Sequence, residues 1–356
     1  MTDGPHAIVL GPLPPPYGGV SIFMSSIKDA GIERGVEVWS YKGDGGDKRV
    51  TRVNHRTLGH IRKLMTAPQG ARVLDSTHFH LEYPHPLLLP AWLNAKRLKK
   101  FTWIKICHDG SLPFRYGAMS YKRKGYIKRA VDAIDILNVS SPGLVKFFDE
   151  KFGREAAYIS PLMPATGVTP EISETRFTGF PDLTLYKRVV SSIGAFIPSY
   201  GFHNVAAAVE SLREKSGDSI GVVLIDGAFA RDEAYKKSIL DGRDWIVVLE
   251  GVPHPDVGPI LGKSDVFVRA FAHESYGLSR VEAIWSGVPV IATNIGETRG
   301  MLTYEFDDVA ALESNLQTVL NGGSTIDLPH WSAVFRNEAD ENLKAYIQLI
   351  TGDPNA

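Results

Sequence analysis

Short apolar, β-branched runs alternate with longer stretches of helical periodicity along almost the whole chain. Ala7–Gly11 reads as a buried strand, and Val20–Ala30 as a helix entered through a Pro/Gly loop. Further strands are expected at Val36–Ser40, Val73–Leu81, Phe101–Cys107, Ile134–Ser140 and Ala157–Ser160, with helices at Ala91–Lys100, Lys122–Ala133 and Gly143–Phe152. A polar stretch bearing Thr and Pro, from Pro164 to Lys187, interrupts the series and is the best linker candidate. The pattern then restarts. Strands are expected at Val189–Ile193, Ile220–Ile225, Trp245–Leu249, Val266–Arg269 and Val288–Thr293. Helices are expected at His203–Lys215, Asp232–Leu240, Pro255–Gly262, Tyr276–Trp285 and Asp307–Leu320. Alternating strands and helices point to parallel sheets with right-handed crossovers, so the chain reads as two doubly wound α/β domains in tandem. Ligands of such domains sit outside the carboxyl ends of the strands, and a cleft between two of them is a common ligand site.

The 356 residues also favour two domains, because single cores rarely grow beyond about 250–300 residues. At 44% hydrophobic and 22% charged the chain is globular rather than disordered. Cys107 is the single cysteine, which excludes a disulfide framework and a cysteine metal site. No signal peptide and no apolar run approaching the roughly 20 residues of a membrane span is visible, so a reducing cytoplasm is the expected compartment.

The net charge of −1 conceals a division. Residues 1–163 carry 24 basic and 14 acidic side chains, a balance of +10, whereas residues 164–356 carry 15 and 26, a balance of −11. In the first half the basic residues run together with aromatics: Trp92, Lys96, Arg97, Lys99 and Lys100, then Arg115, Tyr116 and Tyr121 to Arg129. Such a patch suits an anionic membrane surface at about 1 kcal/mol per charge. Nucleic acid is the alternative for a patch of this kind, and is not the expected partner.

Two stretches carry candidate chemistry. Gly11 to Val20 joins the first strand to the first helix, and Gly18 and Gly19 would let a ligand approach the backbone at a helix N-terminus. It lacks the G-x-G-x-x-G spacing, and no acidic residue closes the second strand, which counts against a dinucleotide enzyme. His273 to Val290 also runs from a strand into a helix. Glu274 and Glu282 lie eight residues apart, which on one continuous helix brings both within about 80° of one face. The amides of Tyr276, Gly277 and Leu278 are expected to point out of the helix start toward a phosphate.

Glu274, Glu282-Ala283 and Gly287-Val288-Pro289-Val290 resemble the Glu-x7-Glu signature of retaining family 4 glycosyltransferases with the GT-B fold, two tandem Rossmann-like α/β domains facing a central cleft. Gly18-Gly19, His108-Asp109 and Ser140-Ser141 match further positions of that family, and Trp331 with the helical Ala339–Ile350 resembles its final crossing helix. The resemblance implies an acceptor-binding domain of residues 1–164 plus 340–356 and a donor-binding domain of 165–339. It implies transfer of a sugar from a UDP- or GDP-type donor to a glycan or polyprenyl-diphosphate-linked acceptor, in bacterial surface polysaccharide or lipopolysaccharide synthesis. It implies neither cofactor nor metal. Glu282 would bond the ribose hydroxyls, Glu274 the donor sugar, amides near Gly277-Leu278 the phosphates, His108 the donor sugar, and Val252 would lie beside the nucleobase.

One departure stands out. The family has an Arg and a Lys in a Gly-Arg-x-x-x-x-Lys-Gly stretch, which neutralise the leaving diphosphate. Here the stretch is Gly194 to Gly201, with Ala195 and Tyr200 in place of both cations. Arg269, ending a strand five residues before Glu274, is the first candidate substitute; Arg280 and Arg299 are weaker ones, expected to be solvated. Two alternatives follow: a GT-B protein that binds nucleotide sugar or glycan without catalysis, and a sugar-nucleotide epimerase.

Overall fold

The computed structural model describes residues 6–15, 18–54, 58–85, 87–164, 180, 182–323 and 326–354. Most of the linker candidate therefore lies outside the described residues. The chain divides into two compact units, Met1–Pro164 with Glu338–Ala356, and Ala165–Asn337.

The first unit is built on a seven-stranded parallel sheet. Its strands are β1 (Ala7–Gly11), β2 (Glu37–Ser40), β3 (Thr51–Arg52), β4 (Arg72–Asp75), β5 (Thr102–Cys107), β6 (Ile136–Val139) and β7 (Ala157–Tyr158), in the order β3-β2-β1-β4-β5-β6-β7. The central strands are apolar on both faces, as a sheet covered by helices requires: Ile8, Val73, Trp103 and Leu137 face one core, while Val9, Leu74, Ile104 and Ile106 face the other. The crossovers are α1 (Gly19–Ile32), α2 (Gly59–Thr66), α3 (Leu88–Lys99), α4 (Leu112–Ala118), α5 (Tyr121–Ala133) and α6 (Pro142–Phe152).

The second unit repeats the plan with six parallel strands: β8 (Arg188–Phe196), β9 (Ile220–Arg231), β10 (Ile246–Glu250), β11 (Val266–Arg269), β12 (Val290–Thr293) and β13 (Leu302–Tyr304), ordered β10-β9-β8-β11-β12-β13. Its helices are α7 (Phe202–Ser216), α8 (Glu233–Leu240), α9 (His254–Leu261), α10 (Leu278–Trp285) and α11 (Val309–Leu320). The chain order reverses around β1 in one sheet and β8 in the other, which sets the carboxyl ends of those strands as the switch points. The last helix, α12 (Leu328–Thr351), begins in the second unit and ends in the first, where Tyr346 and Ile350 are fully buried in the core beside Phe23.

Several boundaries differ from expectation, and three of the differences shape the sites. The strand expected over Val73–Leu81 stops at Asp75, because Lys105 Nζ takes the carbonyls of Asp75, at 3.3 Å, and of Thr77, turning the chain inward. The helix expected from Tyr276 starts at Leu278, after Gly277 at φ +94°. The strand over Ile220–Ile225 continues to Arg231, past a register shift between Gly194 and Phe196 in its neighbour β8.

Candidate active site

In the second unit the switch-point loop leaves β8 and passes through a single turn at Pro198–Tyr200. It reaches α7 through Gly201, whose φ is +65°. A Cβ on Gly201 would lie 2.3 Å from the Ala270 carbonyl oxygen, and one on Gly194 would lie 2.5 Å from Tyr200 Cδ1. Two glycines thus let this loop press against the chain that follows β11, where Ala272 N–H donates to the Ser199 carbonyl at 2.9 Å.

Arg269, the last residue of β11, reaches into that loop. Its Nη1 donates to the Ile193 carbonyl at 2.6 Å and its Nε to Glu274 Oε2 at 2.7 Å. Its guanidinium carbon lies 5.1 Å from the centroid of Tyr200 and 5.2 Å from that of Phe271. The two rings stack with centroids 4.3 Å apart and planes 18° apart. These distances form a nearly isosceles triangle, so the guanidinium sits against the flank of the stacked pair rather than between the rings. Both side chains of the ion pair are largely buried, Arg269 at 12% and Glu274 at 9% exposure. Burial pushes the Arg269 pKa down, but Glu274 and Tyr200 outweigh it and hold it above the ordinary value. Burial likewise pushes the Glu274 carboxyl up, and Arg269 and Arg280 hold it below its ordinary value.

Glu274 and Glu282 do not share a helix. Glu274 lies in the loop before α10, so the eight-residue helical spacing does not apply to the pair. Glycine is required at 277, since a Cβ there would lie 2.8 Å from Arg280 Cδ and 3.2 Å from Glu274 Cγ. Leu278 contributes the first helical amide, while buried Tyr276 precedes the helix and its carbonyl accepts from Glu297 N–H at 2.8 Å. Arg280 is fully buried rather than solvated. It donates to the carbonyls of Ile295 (2.5 Å) and Glu297 (2.9 Å) and to Thr293 Oγ1 (3.0 Å), and burial lowers its pKa to about 10. Arg299 is exposed and chelates Glu297.

Glu282, on α10, receives His254 at 2.7 Å between Nε2 and Oε1, both side chains nearly buried at 14% and 12% exposure. His254 opens α9 two residues after buried Val252, so the turn that carries Val252 is tied to α10. Burial works against the charged imidazole, and Glu282 more than compensates, raising its pKa.

In the first unit Gly18 caps α1 in extended conformation, its N–H donating to Ser21 Oγ at 3.0 Å, and Gly19 is the first helical residue. Among the described residues, no atom beyond its chain neighbours lies within 4 Å of where a Gly18 Cβ would be. His108 follows β5 and is 9% exposed, its ring 5.0 Å from that of Phe23 on α1. Nε2 shares a hydrogen bond of 2.7 Å with Ser76 Oγ, and the His108 N–H donates to Glu82 Oε1 at 3.3 Å. Beneath it Lys105 is fully buried, 3.8 Å from Asp75 and 3.9 Å from Glu82. Burial, then Lys105 and His78, push the His108 pKa well below its ordinary value, so the imidazole is neutral at pH 7.

The structure thus gathers Gly194, Arg269, Glu274 and Gly277 around one point of the second unit, with Glu282 and Val252 joined through His254. Gly18, Gly19 and His108 converge separately in the first. Sequence reasoning missed His254, Phe271, Ser76 and the buried Lys105. It included Trp92 in the basic surface, but Trp92 is fully buried among Phe101, Trp103 and His80. Lys96, Lys128 and Arg115 are ion-paired with Asp135, Asp132 and Asp109, which leaves Arg97, Lys100, Lys122, Arg123 and Arg129 as exposed cations of the patch, beside a 91% exposed Tyr121. Among the described residues no group of three or more His, Cys, Asp or Glu side chains is arranged to hold a metal ion, and no helix is long and apolar enough to cross a membrane.

Comparison with known proteins agrees with the fold. Residues 180–315 match the family "Glycosyl transferases group 1". Trehalose synthase of Pyrococcus horikoshii is 26% identical over 245 residues, 64% of this chain and 56% of that one, so the match spans about half of the relative's length. Anabaena HepE in complex with UDP and glucose superposes with a TM-score of 0.72 at 13% identity, covering 96% of this chain and 98% of that chain. WaaG, a glycosyltransferase involved in lipopolysaccharide biosynthesis, gives a TM-score of 0.68 at 15% identity over 97% and 100%. The second unit carries a glycosyl transferases group 1 domain, and the two parallel-sheet α/β domains have the GT-B fold.

Proposed function

We propose that this protein is a retaining glycosyltransferase that moves a sugar from a nucleotide-diphosphate donor, UDP- or GDP-linked, to a glycan or polyprenyl-diphosphate-linked acceptor. The observation that carries the reading is the Arg269–Glu274 pair, hydrogen-bonded at 2.7 Å and anchored on the Ile193 carbonyl at the Gly194 loop. It sets a fixed cation beside a carboxylate at the carboxyl end of the central strands. A leaving diphosphate needs charge compensation that is already oriented before the bond breaks. Arg269 supplies it, helped by the amide of Leu278 at the start of α10. Glu274 holds the donor-sugar hydroxyls, Glu282 the ribose through the oxygen that His254 leaves unbonded, and Val252 borders the base. A neutral His108 is suited to a hydrogen bond with a sugar hydroxyl without repelling a cationic transition state. Gly18 and Gly19 leave open backbone on the acceptor-binding unit.

The acceptor class suits bacterial surface polysaccharide or lipopolysaccharide synthesis at the cytoplasmic face of the membrane, with the exposed cations of α5 and Tyr121 against anionic lipid. The test is incubation with a panel of UDP- and GDP-sugars and polyprenyl-diphosphate-linked acceptors, with the product's anomeric configuration read by NMR. A product with the donor's own α or β configuration is expected. An inverted product, or nucleotide binding without turnover of any donor, overturns the reading.

A further inference from the structure

The residue that stands where a lysine is expected does not simply leave a gap. Tyr200 stacks on Phe271 and places its ring 5.1 Å from the Arg269 guanidinium carbon. The packing around it is tight: a Cβ on Gly194 would strike Tyr200 Cδ1, and one on Gly201 would strike the Ala270 carbonyl. The two aromatic residues come from different segments, the turn after β8 and the chain after β11, and they meet only because both glycines are bare. Arg269 then has its Nε on Glu274, its Nη1 on Ile193 and its flank against the stacked rings, which fixes the plane of the guanidinium on three sides.

We infer that Tyr200, with Phe271, is a positioning residue for the diphosphate: the stacked pair holds Arg269 at the Gly194 loop, so one immobilised guanidinium replaces two flexible cations. The inference rests on the proposed function in taking the ligand to be a nucleoside diphosphate. An arginine has long rotamer freedom, and pre-orienting it spares the ordering cost at the moment of binding.

The test compares the affinities of UDP and UMP, and of GDP and GMP, by calorimetry on the intact protein. The ratio isolates the part of binding that depends on the second phosphate, which a merely structural role for Tyr200 would not move. Tyr200→Leu is expected to reduce the diphosphate-to-monophosphate ratio about tenfold, as the Arg269 side chain regains the rotamer freedom that the stacked pair removes. Tyr200→Phe, which keeps the stacked ring and removes only the hydroxyl that acts on Arg269, is expected to lose clearly less of the ratio than Tyr200→Leu. An unchanged ratio in Tyr200→Leu overturns the inference, as does an equal fall in Tyr200→Phe. Wild-type protein that binds none of the four nucleotides would overturn the proposed donor class instead.

Discussion

The two units place buried charges differently at the carboxyl ends of their sheets. The first, with an excess of basic residues, buries one lysine against two carboxylates, Lys105 with Asp75 and Glu82. The second, with an excess of acidic residues, sets two buried arginines, Arg269 and Arg280, around Glu274, and pairs the buried Asp226 of the neighbouring strand with Arg231. Charges spread over a surface are screened within a Debye length of about 8–10 Å, whereas a buried ion keeps its field. The field at each sheet end is therefore governed by a few buried side chains more than by the surface bias of the unit that holds them.

The comparison is broken most severely by removing the cation of the second cluster. Arg269→Ala leaves Glu274 buried beside Arg280 alone, and loss of one partner of a buried pair costs about 3–5 kcal/mol. Transfer is expected to fall by at least about 10²-fold, the scale of removing one oriented charge-stabilising group, with weaker nucleoside diphosphate binding. Rate and binding equal to wild type would show that Arg269 plays no such part.

The matching change in the first cluster is Lys105→Met, which strands Asp75 and Glu82. It is expected to lower unfolding free energy by about 3 kcal/mol in denaturant titration. The wild type carries a related acid dependence. Burial pushes the Asp75 carboxyl up, but Lys105, His80 and the hydrogen bonds of Thr77 hold it below its unfolded value of 3.8. A depressed folded pKa gives stability that is present above 3.8 and lost as pH falls through the folded value. Urea midpoints are expected to drop below pH 4 more steeply in wild type than in Asp75→Asn.

The smallest effect sharpens the comparison at its edge. His254→Ala is expected to raise the donor KM several-fold, about 1 kcal/mol for one charge-assisted bond, with kcat nearly unchanged. His254→Gln, which returns a donor near Nε2, is expected to recover most of the loss. A fall in kcat at constant KM would place His254 in a different role.

Much of the scaffold was legible because buried parallel strands are written in unbroken β-branched runs. Ala7–Gly11 and Val266–Arg269 begin and end where the pattern says. The elements that escaped are short or polar. Gly59–Thr66 starts behind Leu58 at φ +55° and buries only His60, Ile61 and Leu64, while Leu302–Tyr304 is a three-residue edge strand. Glu274, Glu282 and Arg269 could be picked out by spacing to a strand end or a signature. His254 could not: its partner is 28 residues away, and a lone histidine between prolines gives no periodic signal. Arg280 reads as an ordinary helical cation, and only the folded loop 293–297 supplies the carbonyls that let it be buried.

The crossing of α12 has a consequence for biosynthesis. Tyr346, which donates to the Ile159 carbonyl at 2.8 Å and accepts from Asn138 at 2.9 Å, is part of the first unit's core, yet it is translated after every residue of the second. Domains ordinarily fold in the order in which they leave the ribosome. Here the nascent chain emerges with its first core missing a piece, and the unit made second is the one that can close first.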